Sequence, residues 1–309
     1  RRFSLHGHTA MSAPLPDQNQ TPDKRAKALP LRAYLWLLLH LPFGWRRALA
    51  AWLGASLPMR RSRIGRTIRT QIAALLPDRA AQAEALAASV LANMARAQIE
   101  LLSGPPFAEW AGRAPVDGPG WPALQAAHRD GRPAILLVSH FGNPAAVGAA
   151  LMARGIVFGS LYKPQPVPQI EVIYHRAVQN FTRPMFPTGR AGVGAMVRHL
   201  RGGGMVSISF DLDRPEGAVL DFLGRPSRTP LSMAEMALRY DAALIPVYGL
   251  RSADGAGFTV VIDLPIPAGP PTAMMQAANH SLERMVRAHP DQWLWWHRRW
   301  KATRSHQQD

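Results

Sequence analysis

Apolar and polar residues change their rhythm along this chain. From Gly131 onward, short apolar runs alternate with stretches of helical period. Residues 134–138, 156–161, 205–210, 243–250 and 258–264 read as strands, and helices are expected near 144–154, 170–180, 191–201, 230–240 and 272–288. Strands apolar on both sides, separated by helices, predict an α/β fold with a mostly parallel central sheet flanked by helices. Upstream, residues 64–103 read as two helices broken at Pro77, the second carrying Leu86, Val90, Met94, Ala97 and Leu101 at helical spacing.

The N-terminal part differs in kind. Residues 34–43 and, after Arg46 and Arg47, residues 48–53 are rich in Trp and Leu. The first run is too short to cross a bilayer, which needs about 20 apolar residues. Aromatics among leucines, bordered by Arg32, Arg46 and Arg47, suit a helix lying in a membrane interface; a buried core helix is the other reading. A cleavable signal peptide is disfavoured, because a long tail precedes the run and arginines follow it. The expected organisation is a disordered basic tail over residues 1–29, a membrane-associated helical region over 30–110, the α/β domain over 111–301 and a short tail over 302–309.

Composition narrows the field of partners. Lys and Arg number 36 against 20 Asp and Glu, a net charge of +16, and Lys24, Lys27, Lys163 and Lys301 are the only lysines. Such a balance implies an anionic partner without saying which. The absence of cysteine excludes disulfides, thiolate metal sites and a Cys nucleophile. No glycine-rich nucleotide fingerprint is present, since Gly202-Gly203-Gly204 precedes a strand where a phosphate loop would follow one. The histidines at 175, 199, 280, 289 and 297 lack ligand-like spacing with carboxylates, so no metal is expected.

Ligand sites in open α/β sheets lie beyond the carboxyl ends of strands, so the residues there carry most weight. One strand end reads Val138-Ser139-His140-Phe141-Gly142-Asn143-Pro144, with Asn143 a good N-cap and Pro144 a good first helical residue. His140 therefore stands between a strand end and a helix start. Asp211 and Asp213 follow another strand that could neighbour it. Both are candidate acids, although aspartates there also suit a turn or cation pairing.

His140-Phe141-Gly142-Asn143 resembles the opening of the His-x-x-x-x-Glu motif of the lipid A lauroyl/myristoyl acyltransferases, which often read His-Phe-Gly-Asn-Trp-Glu. The resemblance continues through Tyr162-Lys163-Pro164, Asp211-Leu212-Asp213, Phe222-Leu223-Gly224-Arg225-Pro226 with Thr229, then Pro246 and Arg251. It ends in Pro290-Asp291-Gln292-Trp293-Leu294-Trp295-Trp296-His297-Arg298-Arg299-Trp300-Lys301, its most specific part. Most of residues 31–301 are covered.

The resemblance implies transfer of a fatty acyl group from an acyl carrier protein thioester, or coenzyme A, to a hydroxyl of a lipid A precursor or related membrane lipid. It implies a cytoplasmic-face, peripheral or monotopic place at a bacterial inner membrane, contact through residues 31–58, and no bound cofactor. His140 would be the general base, as a neutral imidazole near pKa 6.5 can be at neutral pH. Backbone amides or cations would steady the oxyanion. The chain departs from the motif where Ala145 stands for its glutamate and Pro144 for its tryptophan. Asp211 and Asp213, with Glu171 third, are the candidates to supply the missing acid. Asn143, Lys163, Arg190, Arg225 and Arg251 are the candidate substrate-binding residues.

Two other functions are compatible with these residues. A relative lacking the motif acid could bind lipid or carrier protein without turnover. A nucleic-acid binder could use the tryptophans at 293, 295, 296 and 300 with Arg298 and Arg299. Spacing disfavours the latter, because 293, 296 and 300 would share one helical face and pack on a core.

Overall fold

The computed structural model of the protein describes residues 40–300. The expected tails, the apolar run of residues 31–39 and Lys301 lie outside them. A group of helices comes first: α1 (Phe43–Gly54), α2 (Leu57–Arg61), α3 (Arg63–Leu75), α4 (Ala83–Leu102) and α5 (Pro105–Gly112). Ser62 caps α3 by accepting the Gly65 amide at 3.2 Å. The break at Pro77 is a 3₁₀ turn over Pro77–Gln82, which the proline opens without loss because its missing N–H is not needed there. No helix among the described residues is long and apolar enough to cross a membrane.

The remaining elements are β1 (Val116–Asp117), α6 (Trp121–Arg129), β2 (Ala134–Val138), α7 (Pro144–Met152), β3 (Gly159–Tyr162), α8 (Pro168–Val178), β4 (Met185–Pro187), α9 (Arg190–Arg201) and β5 (Met205–Ser209). There follow β6 (Ala218–Phe222), β7 (Arg225–Thr229), α10 (Ser232–Arg239), β8 (Ala243–Arg251), β9 (Phe258–Ile262), α11 (Pro271–Ala288) and a 3₁₀ turn over Pro290–Gln292. Seven strands form one sheet in the order β1-β9-β8-β2-β5-β3-β4, in which only the β8–β9 pairing is antiparallel.

Both faces of this sheet are covered, which is why β2 at its centre is apolar on both sides. Along β2, Ile135 and Leu137 join one apolar cluster with Ile68 and Ile72 of α3, Val90 of α4, and Trp293. Ala134 and Leu136 face the other, with Phe107 of α5 and Ala146 and Val147 of α7. The helices that precede the sheet thus share its core.

Two features departed from expectation. The pair β6–β7 is an antiparallel hairpin outside the main sheet, closed by Leu223 and Gly224 at φ 55° and 71°. Alternating exposed polar positions such as Asp221 and Arg225 hid it from a search for apolar runs. The tryptophan segment after Gln292 is not helical, so Trp293 and Trp295 are both buried and Trp296 is exposed. The core-packing reading of Trp293 survives; the single helical face does not.

Candidate active site

Strand register brings the two central residues together. β2 and β5 run parallel with Val138 opposite Ser209, and Phe210 donates its amide to the Val138 carbonyl at 3.3 Å. Continuing both chains two residues past that pair sets His140 beside Asp211, with side chains on the same face because strand side chains alternate. The His140 amide donates to Asp211 Oδ2 at 2.9 Å, and His140 Nδ1 lies 2.8 Å from Asp211 Oδ1. The indole Nε1 of Trp293 donates to Asp211 Oδ2 at 3.1 Å. Asp211 has no exposed side-chain surface, whereas 38% of the His140 side chain is open to solvent.

This geometry fixes the ring's protonation. Burial alone would raise the Asp211 pKa, but the imidazole, its hydrogen bond and Arg299 together hold the carboxyl at about 2. An ionised Asp211 can only accept, so Nδ1 carries the proton and Nε2 is left as the basic nitrogen. Burial also works against a charge on His140, yet the charge and hydrogen bond of Asp211 outweigh it, and the ring's pKa is raised above 6.5.

The loop carrying His140 is clamped on several sides. Gly142 sits at φ 58°, and a side chain there would run into the carbonyl of Gly249 on β8. Its amide donates to the Gln292 carbonyl at 2.7 Å, and the Asn143 amide to the Gly249 carbonyl at 2.9 Å. The Asn143 side-chain oxygen caps α7 by accepting from the Ala145 amide at 3.0 Å, and Ala146 donates to the Asn143 carbonyl at 3.0 Å. The amides of 140, 142, 143, 145 and 146 are therefore spent within the protein, which removes most of the backbone donors that the helix start was expected to offer an oxyanion.

The other sequence candidates divide by position. Asn143 and Arg251 are buried and committed to Glu100, a wholly buried carboxylate on α4. Arg251 donates to it twice, at 2.7 and 2.6 Å, Asn143 Nδ2 once at 2.8 Å, and Arg47 of α1 once at 2.8 Å. These two residues hold the fold around the His140 loop, and no substrate contact follows from their geometry. Asp211 and not Asp213 is the carboxylate bonded to His140; the Asp213 amide donates to His297 Nε2 at 3.1 Å, and its Oδ1 is buried without a hydrogen-bond partner among the described residues. Lys163 follows β3 and Arg190 opens α9, both exposed and both beyond carboxyl ends of strands on the edge that carries His140. Arg225 opens β7 just after the hairpin turn and reaches the Ala74 carbonyl of α3 at 3.4 Å. Glu171 accepts from the Tyr162 hydroxyl at 3.0 Å and the Gln165 amide at 2.7 Å.

Three participants escaped sequence reasoning: Glu100, Trp293 as a hydrogen-bond donor, and Arg299. Glu100 had one signal, a lone carboxylate between Ile99 and Leu101 in a run of apolar residues. Among the described residues, no group of three His, Asp or Glu is placed to hold a metal ion.

The carboxyl edge of the mostly parallel sheet thus carries a His–Asp pair with one imidazole nitrogen left free to accept a proton. Residues 30–302 match the family described as bacterial lipid A biosynthesis acyltransferase, and the chain belongs to that family. Among curated relatives, it is 28% identical over 183 residues to a phosphatidylinositol mannoside acyltransferase of Mycobacterium tuberculosis, covering 58% of each chain. The corresponding Mycolicibacterium smegmatis protein is 26% identical over 186 residues, or 59% of this chain and 60% of that one. A lipid A biosynthesis acyltransferase of Haemophilus influenzae is 24% identical over 175 residues, or 56% and 55%. The chain thus aligns with under two thirds of the length of these relatives.

Proposed function

We propose that this chain transfers a fatty acyl group from a thioester, carried on acyl carrier protein or coenzyme A, to a hydroxyl of an anionic membrane lipid of the lipid A precursor kind. The observation that supports it most is the 2.8 Å contact between His140 Nδ1 and a fully buried Asp211. Nε2 takes the hydroxyl proton as the oxygen attacks the thioester carbonyl. The tetrahedral intermediate collapses, the carbon–sulfur bond breaks, and the imidazolium returns its proton to the departing thiolate. Asp211 keeps Nδ1 protonated and stabilises the transient cation, the part that Ala145 cannot play. Lys163 and Arg190 are two exposed cations on that edge suited to the oxyanion or to substrate phosphates.

The relatives' names fit this reading, since both phosphatidylinositol mannoside and lipid A are anionic glycolipids bearing free hydroxyls. The acceptor is presented at a membrane surface met by α1. Trp45, Leu49, Trp52 and Leu53 form an exposed stripe on that helix, and residues 40–77 contain Arg46, Arg47, Arg60, Arg61, Arg63, Arg66 and Arg69 with no acid. Purified protein, given acyl carrier protein or coenzyme A thioesters and lipid acceptors, should form acylated lipid detectable by mass spectrometry. His140→Ala should abolish the product; undiminished transfer by that variant would remove the mechanism. An alternative reading, binding of lipid or carrier without turnover, requires no product from the unaltered chain.

A further inference from the structure

The C-terminal segment 293–300 does more than fill the core behind the site. Trp293 places its indole N–H on the Asp211 oxygen that also takes the His140 amide. Its ring meets Phe222 at 5.2 Å between centroids, edge to face, and Phe222 in turn lies under the Arg299 guanidinium at 4.1 Å. Arg299 has no exposed surface. Its Nη2 donates to Asn279 Oδ1 at 2.8 Å and Thr229 Oγ1 at 3.2 Å, while Nε and Nη1 have no hydrogen-bond partner among the described residues.

A buried cation with neutral hydrogen-bond partners needs a compensating charge within range. Asp211 and Asp213 supply it: burial lowers the Arg299 pKa, the two carboxylates raise it, and it stays at about 10, so the group is charged at neutral pH. The same field acts in reverse on Asp211.

We infer that Trp293 and Arg299 are positioning residues acting through Asp211, holding its carboxylate ionised while limiting how strongly it binds the proton on His140. This rests on the His140–Asp211 reading and extends it. An imidazole beside an unopposed buried carboxylate would stay protonated well above neutrality and could not serve as a base; the Trp293 N–H on that carboxylate, and the buried Arg299 charge reached through Phe222, draw that basicity back.

The charged and titratable groups that bear on Asp211 are few. His140 bonds it from the loop after β2, while Arg299 in the C-terminal segment and Tyr248 on β8 act on it by charge, Tyr248 being pushed up by burial and bonded to Ser281. Asp213 shares its loop and His297 contacts that loop. Removing the Arg299 charge or the Trp293 N–H therefore favours the imidazolium, and the sign is upward in pH.

The test is the pH dependence of kcat/KM for acyl transfer by the full chain, from about pH 5 to 10. Trp293→Phe, which keeps the ring and removes the N–H, should move the acid limb up by about half a pH unit. Arg299→Gln should move it by about one unit, and Arg299→Lys should return it most of the way. Asp211→Asn is measured beside them and should move the limb down. If Trp293→Phe and Arg299→Gln leave the limb in place while Asp211→Asn moves it, the inference is overturned and the His140–Asp211 pair stands. If Asp211→Asn changes neither rate nor limb, the pair itself fails and the inference with it. Should Arg299→Gln not fold, Trp293→Phe and Arg299→Lys decide: a limb unmoved in Trp293→Phe overturns the proposal.

Discussion

Replacing Glu100 with glutamine removes one negative charge from the middle of the protein and nothing else of comparable size. The carboxylate is wholly buried and accepts four hydrogen bonds, two from Arg251, one from Arg47 and one from Asn143. Arg251 is itself 3% exposed and has no other carboxylate within 4 Å among the described residues, so the substitution strands a buried guanidinium. Two unit charges about 4 Å apart at an effective dielectric near 20 interact by about 4 kcal/mol. Breaking a buried pair by removing one partner costs about 3–5 kcal/mol by experience with other proteins. Against a total stability of about 5–15 kcal/mol, a loss of that size is large. Urea unfolding followed by tryptophan fluorescence should show it as a lower midpoint at unchanged slope. A double change, Glu100→Leu with Arg251→Met, removes both charges and should recover much of the loss. A single substitution costing under about 1 kcal/mol would refute the reasoning.

Three further outcomes follow from the geometry. Gly142→Ala should destabilise by more than about 1 kcal/mol and depress acyl transfer, because a left-handed residue must push against the Gly249 carbonyl; an unchanged melting temperature and rate would contradict this. Asp211 has a folded pKa of about 2 against 3.8 unfolded, so its contribution of roughly 2 kcal/mol is present above pH 3.8 and is lost as pH falls through the folded value. Wild type should accordingly lose more stability than Asp211→Asn over that window, as read from urea midpoints at a series of pH values. Trp45→Ala with Trp52→Ala should weaken sedimentation with anionic phospholipid vesicles severalfold while leaving the melting temperature within a few degrees, since both rings are exposed; equal sedimentation would detach α1 from the membrane.

What could be read in the sequence follows from what period-based reasoning can see. The strands β2, β5, β8 and β9 and their helices announce themselves, because burial of most of their positions keeps each run mainly apolar. The hairpin β6–β7, half exposed and closed by a tight turn, and the two- and three-residue strands β1 and β4 offer no such signal. At the site, His140 and Asp211 were both legible as residues at strand ends. That one faces the other, and Asp213 does not, depends on the register that pairs Val138 with Ser209, and register is a property of the assembled sheet. Arg251 and Asn143 invited a substrate role because each sits in a segment that resembles the family's motifs, and Arg251 is a cation suited to phosphate. Their partner Glu100 comes from a helix distant in sequence, which no local pattern reveals.

The transfer rate of Asp211→Asn, measured in a single turnover with saturating thioester and lipid acceptor, bears most directly on the claim that a buried aspartate stands in for the glutamate missing at Ala145. In serine proteases, removing the charge of the carboxylate that orients the catalytic histidine costs about 10⁴ in rate. A fall of about 10³ to 10⁴ with an unchanged melting profile is the predicted result. A rate within about tenfold of the unaltered protein would mean that His140 does not depend on Asp211.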